Sequence, residues 1–63
     1  GSEGGLPKLG DHVDIGVGAA IIGDITLASH TKVAANSVVC KSFRKEYQVL
    51  AGVPAKIIKF WKE

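Results

Sequence analysis

Residues 9–39 read LGDHVDIGVGAAIIGDITLASHTKVAANSVV, and their spacing decides the fold. A large aliphatic residue returns every sixth position: Leu9, Ile15, Ile21, Leu27, Val33 and Val39. An α-helix repeats at intervals of three and four, and a half-buried strand repeats at two. A period of six fits short strands separated by tight corners. The residues between the aliphatics agree. Directly after them come Gly10, Gly16, Ile22, Ala28, Ala34 and Cys40, mostly small, as suits a position where backbones crowd. Three places after them come His12, Gly18, Asp24, His30 and Asn36. Glycine takes positive φ freely, and Asn, Asp and His do so more often than other residues. Each unit therefore reads as a short strand and one corner residue with a left-handed backbone.

Three units make one triangular turn, and the next turn stacks one strand spacing above, about 4.8 Å. Inward side chains then form columns: Leu9 under Leu27, Ile15 under Val33, Ile21 under Val39. The fold class predicted is all-β, a left-handed parallel β-helix with a short C-terminal helix. Its segments are a lead-in loop (1–8), hexapeptide coils (9–40), a charged loop leaving the coil (41–48), a returning strand and Gly-Val-Pro-Ala turn (49–55), and a capping helix (56–63). The helix is expected because apolar residues at 57, 58, 60 and 61 suit one face of a short amphipathic segment. It would pack Ile57, Ile58 and Trp61 over the last coil. Fewer than two complete coils cannot stand alone as a solenoid, so earlier coils or partner chains are expected to cover the open face.

Composition narrows the classes. The single cysteine, Cys40, excludes an internal disulfide and falls in a small-residue slot, where packing is expected. A net charge of +2 does not argue for nucleic acid. No apolar run reaches membrane-spanning length and no signal peptide is visible, so a cytoplasmic protein is expected. A 63-residue chain is marginal by itself, which points to assembly.

The repeat, taken with Ala51-Gly52-Val53-Pro54-Ala55-Lys56, resembles the hexapeptide-repeat acyltransferases, in particular the serine acetyltransferase-like group and its relatives that acetylate sugars or antibiotics. Pro7-Lys8-Leu9-Gly10-Asp11, Ile15-Gly16-Val17-Gly18-Ala19, Ile21-Ile22-Gly23-Asp24-Ile25 and Ala35-Asn36-Ser37-Val38-Val39 carry the likeness. The resemblance implies the C-terminal part of an acetyl-CoA-dependent O-acetyltransferase, working as a homotrimer on a hydroxyl-bearing small molecule. It implies acetyl-CoA as co-substrate, lying between neighbouring prisms. The matching positions are Val17, Gly18, Ala35 and Asn36 at the coil edge, Gly52 and Pro54 in the turn, and Lys56 toward a CoA phosphate. Leu6 stands where typical serine acetyltransferases place an active-site histidine, so no catalytic residue transfers to this chain and serine is disfavoured as the acceptor. Two alternatives remain, a non-catalytic assembly module and a metal-dependent relative.

His12 and His30, one coil apart, are expected to stack at a corner. A zinc site needs at least three protein ligands, and no third is apparent, so corner residues are the plainer reading and no metal is expected. Trp61 and Phe60 read as a cap before they read as an adenine platform.

Overall fold

The computed structural model describes residues 6–62, and all regular structure among them is strand. Two-residue strands β1 (Lys8–Leu9), β2 (Asp14–Ile15), β3 (Ala20–Ile21), β4 (Thr26–Leu27), β5 (Lys32–Val33) and β6 (Val38–Val39) precede the longer β7 (Gln48–Gly52) and β8 (Ala55–Phe60). The first six pair parallel across one coil: β1 with β4, β2 with β5, and β3 with β6. Their registers set Leu9 beside Leu27, Ile15 beside Val33, and Ile21 beside Val39. These are the three predicted columns, and the molecule is a three-sided β-helix. Such short parallel strands need no separate crossover, because the other two sides of the triangle make the return.

Stacking explains burial. In the second coil Leu27 and Val39 are fully buried and Val33 nearly so, while in the first coil Leu9 stays 46% and Ile15 42% exposed in the same slots. Complete burial of one such side chain contributes about 1.5–3 kcal/mol, so the inner coil holds most of the apolar stabilisation. Crowding behind the aliphatics is also real. A Cβ on Gly16 would come 2.5 Å from the Ala35 backbone nitrogen, which cannot give way. Ladder bonds close the stack, among them Gly16 N–H to Val33 O at 2.8 Å and Ala34 N–H to Leu50 O at 2.9 Å.

The corners follow the predicted rule with one exception. His12, His30 and Asn36 have φ of 58°, 62° and 61°, and Gly18 has 77°. At the third corner Gly23, at 97°, adopts the left-handed conformation in place of Asp24. Glycine has no Cβ to strain, so it takes positive φ at less cost than an adjacent aspartate.

Three segments differ from expectation. Residues 41–48 do not leave the coil; they start a third one. Phe43 bridges Leu27 in parallel, sixteen residues further on, and is buried in the core with Leu50 and Ala55. Lys41, Arg44 and Lys45 face outward around it. The returning strand is β7, which starts at Gln48, earlier than predicted, and ends at Gly52; Ala55 already belongs to β8. β7 pairs parallel with β5, setting Leu50 beside Val33. The expected capping helix is absent: Ala55–Phe60 forms a strand antiparallel to β7, with a register shift at Val49/Leu50. A tight turn at Val53-Pro54 folds the chain straight back, and pairing with β7 satisfies backbone groups that a terminal helix of one or two turns would leave open. Ile57 packs against the core, but Ile58 is 58% exposed. Cys40, expected to pack inward, is also exposed. Residues 1–5 of the predicted lead-in and Glu63 of the predicted helix lie outside the described residues.

Polar groups are buried inside the third-coil junction. Gln48, fully buried, donates through Nε2 to Thr31 Oγ1 at 2.8 Å and to Phe43 O at 2.9 Å. Thr31 in turn donates to Ala28 O at 2.7 Å. This chain of bonds draws Phe43 and Gln48 together and holds the shortened coil in register. Gln48 Oε1 is buried without a partner.

Candidate functional site

Three prism edges result from this winding, and two carry unusual chemistry. The first joins the side of β2 to the side of β3. It contains Gly16-Val17-Gly18, then Ala34-Ala35-Asn36 one coil up, then Gly52-Val53-Pro54 at the hairpin turn. Every predicted cofactor position except Lys56 therefore lies along one edge. Its ridge is apolar and bare: Val17 is 82% and Val53 70% exposed, and Ala35 is also exposed.

Local bonds hold this ridge open. Asn36 N–H donates to Val17 O at 3.0 Å, tying the two coils at the edge. Ala19 N–H donates to Gly16 O at 3.2 Å and Ser37 N–H to Ala34 O at 3.4 Å, closing equivalent turns. A Cβ added to Gly18 would meet only the movable Asn36 Oδ1, so the position is set mainly by φ. Gly52 N–H donates to the buried Ser37 Oγ at 3.2 Å, which docks the Val53-Pro54 turn onto the coil below. The Val53–Pro54 peptide is cis and Gly52 has φ 104°. Lys56 lies on β8, paired with Ala51, and is exposed.

Chemically, the edge offers backbone amides and carbonyls with little side-chain cover. The Val17 carbonyl retains a second lone pair beyond the Asn36 bond. A thin, flexible amide-bearing ligand fits such a surface better than a compact polar one does. Among the described residues the ridge forms no enclosed pocket, so a ligand lying there needs a second wall.

The other edge joins the side of β1 to the side of β2 and is filled with rings. His12 and His30 stack at 5.1 Å between centroids and 16° between planes, as predicted. Tyr47, with φ 62°, continues the pile at 4.5 Å and 3° from His30. Trp61 meets His30 and Tyr47 edge-on. Its Nε1–H donates to His30 O at 2.8 Å and its backbone N–H to Tyr47 O at 2.9 Å. Tyr47 and Trp61 were not legible as part of this edge, because Tyr47 follows His30 by seventeen residues and breaks the strict period. Among the described residues no group of three His, Cys, Asp or Glu side chains converges, here or elsewhere. No histidine lies on the glycine edge.

No sequence profile of a protein family matches the chain. Individual relatives do. A serine acetyltransferase of Haemophilus influenzae is 46% identical over 52 residues, which is 82% of this chain and 19% of the relative. A crystal structure of Neisseria gonorrhoeae serine acetyltransferase superposes with a TM-score of 0.88 at 40% identity, covering 100% of this chain and 25% of that one. A serine acetyltransferase in complex with CoA gives 0.77 at 46% identity, over 82% and 22%. A maltose O-acetyltransferase from Clostridium difficile gives 0.82 at 37%, over 90% and 30%. The chain thus spans a fifth to under a third of the length of these proteins.

Proposed function

We propose that this chain, a hexapeptide-repeat segment of the acyltransferase kind similar to serine acetyltransferases in sequence and shape, is the acetyl-CoA-holding end of an O-acetyltransferase. The observation that carries this reading is the bare glycine edge. Positions Val17, Gly18, Ala35, Asn36, Gly52 and Pro54 line up there, in a chain resembling a protein solved with CoA. The pantetheine arm lies along this ridge and bonds to backbone groups at Val17 and Ala35. Lys56 offsets phosphate charge at the nucleotide end. The exposed Val17 and Val53 give an apolar lining for the arm and for the wall that faces it.

That wall is a neighbouring copy. The prism winds left-handed, and three prisms side by side form a homotrimer with a groove at each boundary. An open ridge with exposed valines favours such an arrangement, because burying them stabilises the assembly. The protein acts in the cytoplasm, where acetyl-CoA and a reduced Cys40 are both expected.

In the reaction, the acceptor hydroxyl oxygen bonds to the thioester carbonyl carbon, the C–S bond breaks, the CoA sulfur leaves as thiolate, and a general base takes the hydroxyl proton. The chain's own contribution is to orient the thioester along the edge. Leu6 is apolar and 83% exposed, so it supplies no base. An amino-acid, sugar or small-molecule hydroxyl other than that of serine is the expected acceptor.

CoA titration of the assembled protein tests this. Ligand at a hundred times Kd stabilises the folded state by about 2.7 kcal/mol, so the melting temperature should rise with CoA. An unchanged melting curve at saturating CoA, together with no binding by calorimetry, removes the reading and leaves an assembly module without cofactor.

A further inference from the structure

We propose that the ringed edge is a proton-sensitive clasp for the β7–β8 hairpin, which loosens when both His12 and His30 carry a charge. Its effect on CoA rests on the function proposed above; the clasp itself does not.

The clasp is built from contacts that converge on His30. Its ring is sandwiched between His12 and Tyr47. Its carbonyl accepts the Trp61 indole N–H, and its own backbone N–H donates to Asp11 O at 2.8 Å. Trp61 directly follows β8, so the hairpin is fastened at this edge through the residue whose ring lies between two others. A tilt of the His30 ring therefore disturbs the edge-on packing of Trp61 on His30 and Tyr47, which flanks the bond that holds the end of the hairpin.

The charges set the direction. Lys32 of β5 lies with Nζ 4.4 Å from the Trp61 ring, and Lys62 lies 4.5 Å from the Tyr47 ring. Both cations therefore already lie against the aromatic group. Among the described residues, the other charged groups on the neighbouring segments are Lys8 on β1, Asp11 beside His12, Asp14 on β2, Lys45 and Glu46 before Tyr47, and Lys59 on β8. Among the described residues no hydrogen bond joins either imidazole to a carboxylate.

Neutral imidazoles stack as flat rings. A proton on His30 faces Tyr47, whose electron-rich face favours a cation. A second, on His12, is then opposed ring to ring, with Lys32 and Lys62 already present. Acidification is what adds charge to a histidine pair, so it is the condition that opposes the two rings. The rings tilt apart, the Trp61 bond breaks, and the hairpin that holds Gly52, Pro54 and Lys56 loosens.

Trp61 is the only tryptophan, so its emission reports on the clasp directly. The test compares the assembled protein with its His12→Asn variant from about pH 8 to about pH 5, through the imidazole range. Asparagine keeps the positive φ of the corner, as Asn36 already does, and removes the charge on the outer ring of the stack. The expected result is a reversible red shift of Trp61 emission in the parent on acidification, absent in the variant, with matching spectra at the alkaline end. No red shift in the parent, or one of equal size in His12→Asn, overturns the proposal. CoA affinity, measured alongside, should fall on acidification in the parent and hold in the variant. A clasp that opens in a protein that binds no CoA at either pH would remove the function proposed above and leave the clasp intact.

Discussion

Two edges of one prism share a backbone and differ in everything else. His12, His30 and Tyr47 turn one corner; Gly18, Asn36 and Gly52 turn another; all six have positive φ. On the first, side chains stack into a column roofed by Trp61. On the second, two of the three positions have no side chain, and the neighbouring valines stand in solvent. The left-handed conformation therefore builds the triangle, but bulk at the corner decides what the edge is for. Rings bind the coils to each other and to the hairpin, whereas bare backbone leaves room for another molecule.

The contrast can be broken most forcefully at Gly18. Gly18→Val puts a β-branched side chain at φ 77° and into the Asn36 amide. Strain at such a position costs about 1–3 kcal/mol, and the Asn36 side chain has to move aside. Thermal melting should show the loss, and CoA binding by calorimetry should disappear with the bare ridge. A smaller effect is expected from unroofing the ringed edge. Trp61→Ala removes a hydrogen bond worth about 0.5–1.5 kcal/mol and a cation–π contact worth about 0.5–1 kcal/mol. Denaturant unfolding should move by about 1–2.5 kcal/mol, the sum of those terms. The smallest effect sharpens the comparison. His30→Asn keeps the corner conformation, and should lose only stacking, about 0.5–1.5 kcal/mol. His30→Val should lose more, because a β-branched residue resists positive φ. Equal losses from both variants, in the same denaturant series, would mean that stacking rather than backbone conformation dominates there.

Much of this architecture can be read from spacing alone. The columns follow from the aliphatics at six, and the glycine edge follows from Val17 and Ala35 being eighteen residues apart. That Val17, Gly18, Ala35 and Asn36 share one edge is legible for the same reason, since a regular winding brings every third corner to one edge. What spacing hides is the third coil. Phe43 is not aliphatic and falls short of the period, and its column is restored by the buried Gln48 bonds, which no pattern of apolar residues signals. Residues 55–60 are ambiguous for a different reason. Alternating and helical placements of Ile57, Ile58 and Phe60 are equally apolar over so short a run, and only the presence of β7 alongside decides for a strand. At the third corner, Gly23 and Asp24 both tolerate the turn, and the absence of a Cβ settles which one bends.

The pairing of Ile15 with Val33 and then Leu50 limits how the length of this chain can change. Removing one residue at a bend, as between Val33 and Leu50, shortens a corner and leaves every side where it was. Adding one hexapeptide within a coil instead advances everything downstream by a third of a turn. The hairpin would then rise from a different side of the triangle, and the glycines at 16 and 18 would no longer sit beneath Gly52. Lineages carrying this design should therefore vary by whole coils or by single residues at bends, and seldom by one repeat.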